Sequence, residues 1–264
     1  MKADTKTHMT KADMQAVAVA EPTKTELTVV SDMPEGSWGS EGIDSKDLLI
    51  PKLLLMQGLS QLVAAGEAGT GDIINSLSKK VLGGKQKPVE IIPIMAQKSW
   101  VYFEKKGDKF NYVRVEPFTA ATSDRPMEGV TADGVAYRYD RSFDVYGLLT
   151  SEAKNPTALP FMVSFRRTSY MAGKKIATFF KQCEMAKKPP ASRTLLLNSA
   201  MQKNDLGTFF TYDVADGRDA DKNDLAKAYE WYKLIKRGSH HVDDSDMADG
   251  PTESTGSSVP TTEF

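Results

Sequence analysis

The stretch Ser99-Trp100-Val101-Tyr102-Phe103-Glu104-Lys105-Lys106-Gly107-Asp108-Lys109-Phe110-Asn111-Tyr112-Val113-Arg114-Val115-Glu116 decides how this chain folds. Side chains alternate with period two on either side of the polar turn Lys105-Lys106-Gly107-Asp108, the pattern of an antiparallel β-hairpin. Traced backward, the first strand begins at Pro88 and bends at Pro93, where no backbone N–H is available to a ladder. The same alternation sorts side chains by face. Val101 and Phe103 share one face with Ser99, while Lys98, Trp100 and Tyr102 take the other. With Val113 and Val115 pointing inward, Tyr112 and Arg114 fall on the opposite face. The expectation is an exposed platform of Trp100, Tyr102 and Tyr112, rimmed by Lys98 and Arg114. Rings that stack on bases, beside cations that follow phosphates, suit a single strand of nucleic acid. The plainer alternative is the second face of a fully covered sheet, since aromatic residues favour strands for packing alone. The interleaved cations favour the platform, because a dry core excludes unpaired charge.

Working outward, Gly71 to Asn75 and Lys80 to Leu82 read as a second hairpin. Val135 to Leu149 and Phe161 to Thr168 supply two more strands. Arg193 to Met201 and Thr208 to Val214 form a last hairpin across Asn204-Asp205-Leu206-Gly207. Leu48 to Val63, apolar around Pro51, reads as a short strand or helix. Between the strands lies one well-marked helix. Ser169 is placed to cap it and Pro189-Pro190 to stop it, with Ala172, Ile176, Phe179, Phe180 and Cys183 on one face. Asp221 to Lys236 reads as a second helix with a buried stripe of Leu225, Tyr229, Tyr232 and Ile235. The fold class is mainly β with helices (α+β). The expected architecture is an antiparallel barrel of the oligonucleotide-binding type, with an inserted helix and a C-terminal helix, spanning residues 48–238. Residues 1–47 and 239–264 are polar and aperiodic and read as disordered.

The net charge of −1 conceals a strong division. Phe161 to Lys203 holds nine Lys/Arg and one acid, Glu184. Residues 239–264 hold six carboxylates, no Lys or Arg, and a terminal Phe264. Arg166-Arg167, Lys174-Lys175, Lys187-Lys188 and Arg193 together read as an electrostatic footprint for a polyanion. A solvated helix face explains any one pair, and cations at a helix C-terminus explain Lys187-Lys188. Neither explains all nine.

Several chemistries lack their residues. His8, His240 and His241 are the only histidines, all in the polar ends, so the folded segment has no Ser-His or Cys-His pair. A single cysteine, Cys183, excludes an internal disulfide and fits a reducing compartment. Neither Gly66-Glu67-Ala68-Gly69-Thr70-Gly71 nor Gly83-Gly84-Lys85-Gln86 completes a phosphate loop. Asp72, Glu90, Asp140 and Asp144 remain as strand carboxylates able in principle to hold magnesium for a nuclease; solvated acids are the commoner explanation. No apolar run approaches a membrane span. The expectation is a cytoplasmic protein without catalysis, metal or other cofactor.

Leu49-Ile50-Pro51-Lys52-Leu53-Leu54-Leu55-Met56-Gln57-Gly58, Gly71-Asp72-Ile73-Ile74-Asn75-Ser76-Leu77, Pro88-Val89-Glu90-Ile91-Ile92-Pro93-Ile94 and Ser164-Phe165-Arg166-Arg167-Thr168-Ser169-Tyr170 together resemble bacteriophage proteins of DNA replication and recombination. Within that set the sequence is most similar to phage single-stranded DNA-binding proteins, over roughly Leu48 to Val214. The tail, with Asp243, Asp244, Asp246 and Phe264, resembles the acidic, aromatic-ended tails of such binders, although Thr261-Thr262-Glu263 precedes the phenylalanine and the acids are not massed at the end. The resemblance implies an oligonucleotide-binding fold in the host cytoplasm that protects single-stranded DNA. It also implies a tail that recruits a polymerase, helicase or nuclease, and it is compatible with a homo-oligomer. The alternatives are a magnesium-dependent nuclease or other DNA-processing enzyme, and a phage regulatory or structural protein that binds host proteins.

Overall fold

A computed structural model of the chain describes residues 47–155, 157–205, 207–237 and 241–242. In chain order its elements begin with β1 (Leu49–Ile50), β2 (Leu53–Leu55), the short helix α1 (Gln61–Ala64), β3 (Ile73–Asn75) and β4 (Val81–Gly83). The long strands follow: β5 (Val89–Lys106), β6 (Lys109–Pro117), the short β7 (Glu128–Val130), β8 (Ala136–Leu149) and β9 (Phe161–Arg166). Helix α2 (Tyr170–Met185), β10 (Arg193–Asn204), β11 (Gly207–Asp219), α3 (Lys222–Lys236) and β12 (His241–Val242) complete the described chain.

The framework is an antiparallel ribbon of β5 and β8, in register from Ile91 opposite Leu149 to Glu104 opposite Tyr137. A register shift between Pro93 and Met95 marks the expected bend, a bulge where proline cannot donate to the ladder. The ribbon is flanked differently at its two ends. Near Ile91 the order is β11-β10-β5-β8-β9, and near Tyr102 it is β6-β5-β8-β7. We call these the packed end and the open end.

The fold is β-rich α+β, but the expected barrel does not close. Among the described residues three separate sheets form: the large one, a β2-β3-β4 meander, and a parallel pair of β1 with β12. His241 and Val242, expected in the acidic tail, therefore pair beside Leu49 and Ile50. Strand β11 ends one side of the large sheet. Among the described residues its outward backbone at Phe210 and Tyr212 is met by side chains and not by another strand. The Gln57 amide donates to the Phe210 carbonyl and accepts from the Phe210 N–H, both at 2.9 Å, and Ser169 Oγ accepts from the Tyr212 N–H at 3.1 Å.

Each face of the packed end carries a helix. On one, Val89, Ile91, Phe143, Val145 and Phe165 pack against Ala172, Ile176 and Phe179 of α2. On the other, Ile92, Ile94, Tyr146 and Leu148 pack against Ala228 and Ile235 of α3. Gly173 lets α2 lie close to the sheet: a Cβ there would meet Phe143 and Phe165 at 2.8 Å. The sequence-expected stripe of α3 is partly wrong, since Tyr229 is exposed and Ala228 takes the buried position. Asp221 caps α3 by accepting from the Asp224 N–H at 2.8 Å, which holds its carboxyl below the ordinary value. Ser169 does not cap α2, because its hydroxyl is bonded to Tyr212.

Candidate nucleic-acid interface

Beyond Gln97 the ribbon leaves the shelter of both helices, and its α2 face changes character. Lys98, Trp100, Tyr102 and Glu104 stand opposite Phe143, Arg141, Tyr139 and Tyr137. The rings and cations form an unbroken series. Lys174 lies 5.6 Å from the Tyr170 ring, Tyr170 5.0 Å from Phe143, and Lys98 5.4 Å from Phe143 and 5.2 Å from Phe118. Phe118 stacks on Trp100 at 5.3 Å. Arg141 and Arg125 both reach Trp100, at 5.3 and 5.7 Å. Arg125 lies 4.3 Å from Tyr139, Tyr139 4.7 Å from Tyr102, and Arg114 4.2 Å from Tyr102. Five cations thus share a strip with two acids: Glu104, which accepts from the Tyr102 hydroxyl at 3.0 Å, and Glu116. Glu116 accepts from Arg125, from Arg114 at 2.8 Å and from the Tyr139 hydroxyl at 3.3 Å.

This arrangement corrects the aromatic platform. Trp100 is fully buried and Tyr102 nearly so. The loop after β6 folds back over them, tied by the Phe118 N–H to the Lys98 carbonyl and by the Tyr139 N–H to the Met127 carbonyl. A bulge removes Tyr112 altogether. Tyr102 pairs with Arg114 and Phe103 with Tyr112, leaving Val113 as the extra residue. Tyr112 therefore packs against Phe103 on the α3 face. Val113 and Val115, expected inward, are exposed. What the strip presents outward is cationic: Lys98, Arg114, Arg141 and Lys174 are exposed above the rings. Cation–ring contacts of this kind contribute about 0.5–2 kcal/mol each, more where water is excluded.

Electrostatics follow from these contacts. Burial pushes the Glu116 carboxyl up, but hydrogen bonds from Arg125 and Arg114 outweigh it and hold the group below its ordinary value. Burial, then the Glu104 hydrogen bond, raises Tyr102; burial and the Glu116 charge raise Tyr139. Tyr102 and Tyr139 therefore stay uncharged near neutral pH, while Glu116 stays ionised and offsets part of the charge of Arg114 and Arg125.

The basic residues singled out from sequence divide among three places rather than one footprint. Lys98, Arg114 and Lys174 belong to the strip. Arg166 and Arg167 lie on the α3 face, against Phe103 at 5.9 and 5.5 Å. Lys187, Lys188 and Arg193 sit at the packed end. There Lys187, at φ +53°, terminates α2 in the left-handed turn usual for a helix C-terminus, and Arg193 lies between Asp216 and Asp219 at 3.6 and 3.8 Å. Lys175 is bound to Asp213 at 2.8 Å, which lowers that carboxyl. Asp243, Asp244, Asp246 and Phe264 lie outside the described residues.

Sequence reasoning missed Phe118, Arg125, Tyr137, Tyr139 and Arg141. Three of these were findable: Tyr137, Tyr139 and Arg141 alternate within a segment already read as a strand. Phe118 and Arg125 lie in an irregular loop that no period marks.

The four strand carboxylates are held separately. Asp144 accepts from the hydroxyls of Ser99, Ser142 and Ser164, the latter two at 2.7 Å. Asp140 is bound by Arg167 at 2.6 Å, and Glu90 by Thr194 at 2.7 Å and Arg218 at 3.2 Å. Asp72 accepts from the Gly69 N–H at 2.7 Å. Among the described residues no three His, Cys, Asp or Glu side chains converge as a metal site, and no helix is long and apolar enough to cross a membrane.

Residues 20–241 match the model of the Pam3 phage gp34-like protein family. The chain belongs to that family. Comparisons with curated proteins and with solved structures gave no significant match. For this gp34-like protein, a phage origin therefore rests on the greater part of its length, including every strand of the ribbon.

Proposed function

We propose that this gp34-like protein is a non-catalytic binder of single-stranded DNA that acts in phage replication or recombination. The observation that carries the reading is the α2-face strip, in which five cations lie on a continuous bed of aromatic rings with two bound acids, Glu104 and Glu116. Cations spaced along an extended strip match a phosphodiester chain. At the open end four strands, β6-β5-β8-β7, lie side by side, broader than the helix or two-stranded ribbon that a major groove admits. Phosphate contact comes first, and rings such as Tyr137 and Tyr139 at the margin offer stacking. The acidic tail, with Asp243, Asp244, Asp246 and Phe264, serves to recruit a replication enzyme.

Titration with oligothymidylate over a salt series tests this, with duplex DNA and RNA as competitors. Each phosphate contact adds about 0.7 to the log–log salt slope on single strands. Lys98→Gln and Arg141→Gln should each flatten the slope by about that amount. Equal competition by duplex, or unchanged slopes in both variants, would reject the strip. Incubation with magnesium or manganese should leave the DNA intact. Cleavage lost in Asp72→Asn would put the nuclease reading in its place.

A further inference from the structure

The opposite face of the open end carries a second, separate concentration of positive charge. Arg138, Arg166 and Arg167 crowd one ring, Phe103, at 5.2, 5.9 and 5.5 Å, and Arg138 also lies 4.7 Å from Phe110. The carboxylate among them is Asp140. It is bonded to Arg167 Nε at 2.6 Å and lies 3.4 Å from Arg138 Nε, too poorly aligned for a hydrogen bond. That Nε–H is buried with no hydrogen-bond partner. Arg166 makes no ion pair with a described residue. Arg167 holds its place at φ +48°, a backbone conformation that non-glycine residues seldom adopt and that tends to mark functional positions. Asp140 offsets one of the three guanidinium charges, and Glu128, opposite Arg138 in register, is exposed to water; in this partly water-excluded space the remaining like charges repel one another and favour a further anion. Guanidinium groups match the oxygens of a phosphodiester with paired hydrogen bonds.

Resting on the single-strand reading above, we propose that Arg138, Arg166 and Arg167 form a second phosphodiester site, occupied by the same DNA strand after it passes round the open end of the ribbon. The turn between β5 and β6 lies on that route, and its Lys105 and Lys106 are exposed. One DNA strand then contacts both faces of the open-end sheet instead of lying along one. The other acid buried on this face, Asp144, is enclosed by three hydroxyls and does not oppose the phosphate.

The test uses the full chain and two oligothymidylates, one of about 5 nucleotides and one of about 20, bracketing ordinary single-strand site sizes. Arg166→Gln should lower the salt slope on the long oligonucleotide by about 0.7 and leave the short one at its wild-type value. Arg114→Gln, on the α2 face, should lower both. Asp140→Asn, which removes the opposing carboxylate, should strengthen binding of the long oligonucleotide at low salt and leave the short one unchanged. An Arg166→Gln slope equal to wild type on the long oligonucleotide, or an equal loss on both lengths, overturns the second site. So does weaker long-oligonucleotide binding by folded Asp140→Asn. Failure of the parent reading looks different: the wild-type protein then binds neither length.

Discussion

The packed and open ends of this molecule are built from the same two strands, and they solve the problem of covering a sheet in opposite ways. At the packed end, Ile91, Ile92, Ile94, Val145 and Leu148 are sealed beneath α2 and α3. A few residues further along β5 and β8, the apolar cluster of the α3 face is reduced to Val101 and Phe103 with Phe110 and Tyr112. Arginine and lysine side chains lie over the rest. Their apolar stems shield the rings while their charged heads stay in water. Dry packing at one end anchors both strands of the ribbon, and the other end keeps a surplus of positive charge. Regions that bind ligands are commonly drawn from the less protected part of a fold, and the proposed binding surface falls there.

The most damaging way to break the comparison is at Trp100. Its complete burial predicts that Trp100→Ala costs about 3–5 kcal/mol. If the ends are separable, hydrogen exchange should show the loss in β6 and β7 amides while β10 keeps its protection. Equal loss in β10 would make the two ends one cooperative unit. Ile176→Ala, at the centre of the α2 contact, should cost about 2–5 kcal/mol and lower protection throughout. The folded fraction should retain its full salt slope for DNA, because no strip residue is touched. A changed slope would mean that α2 packing positions the cations directly.

The smallest effect should come from acid. Glu116 has a lowered folded value, so its contribution is complete above the unfolded value of about 4.3 and is lost as pH falls through the lower folded value. Within that window Arg114 and Arg125 lose their carboxylate, and the cover over Trp100 loosens. The indole N–H of Trp100, buried without a partner, is a suitable NMR reporter. Its resonance should shift in that window, and in Glu116→Gln the shift should already be present at neutral pH. An unmoved resonance would leave stacking on Phe118 as the whole of the cover.

Much of the framework was legible because period and punctuation coincide. The bend at Pro93, the turn at Gly107, α2 before Pro189-Pro190 and α3 from Asp221 onward all follow from local chemistry. Parity at the open end was not legible, for a definite reason. Strict alternation assigns faces only while register is unbroken, and the extra residue Val113 reverses Tyr112 without changing composition. Charge density along the chain misled in a similar way. Residues 161–203 thread through β9, α2 and β10, so neighbours in sequence such as Arg167 and Lys174 end on opposite faces. Barrel closure depended on the outer side of β11, where the deciding partners, Gln57 and Ser169, come from distant segments.

Those two side chains bear on how copies of the protein meet. An exposed edge strand is a template on which another chain can polymerise. Here the first places on the template are filled from within: Gln57 supplies both an N–H and a carbonyl to Phe210, and Ser169 takes the next outward amide at Tyr212. At Phe210 and Tyr212 a second copy would find the edge already occupied, which hinders strand pairing there. Replacing Gln57 with an apolar residue would reopen the template without touching the charged end of the ribbon, and sedimentation at high protein concentration would register the resulting assembly.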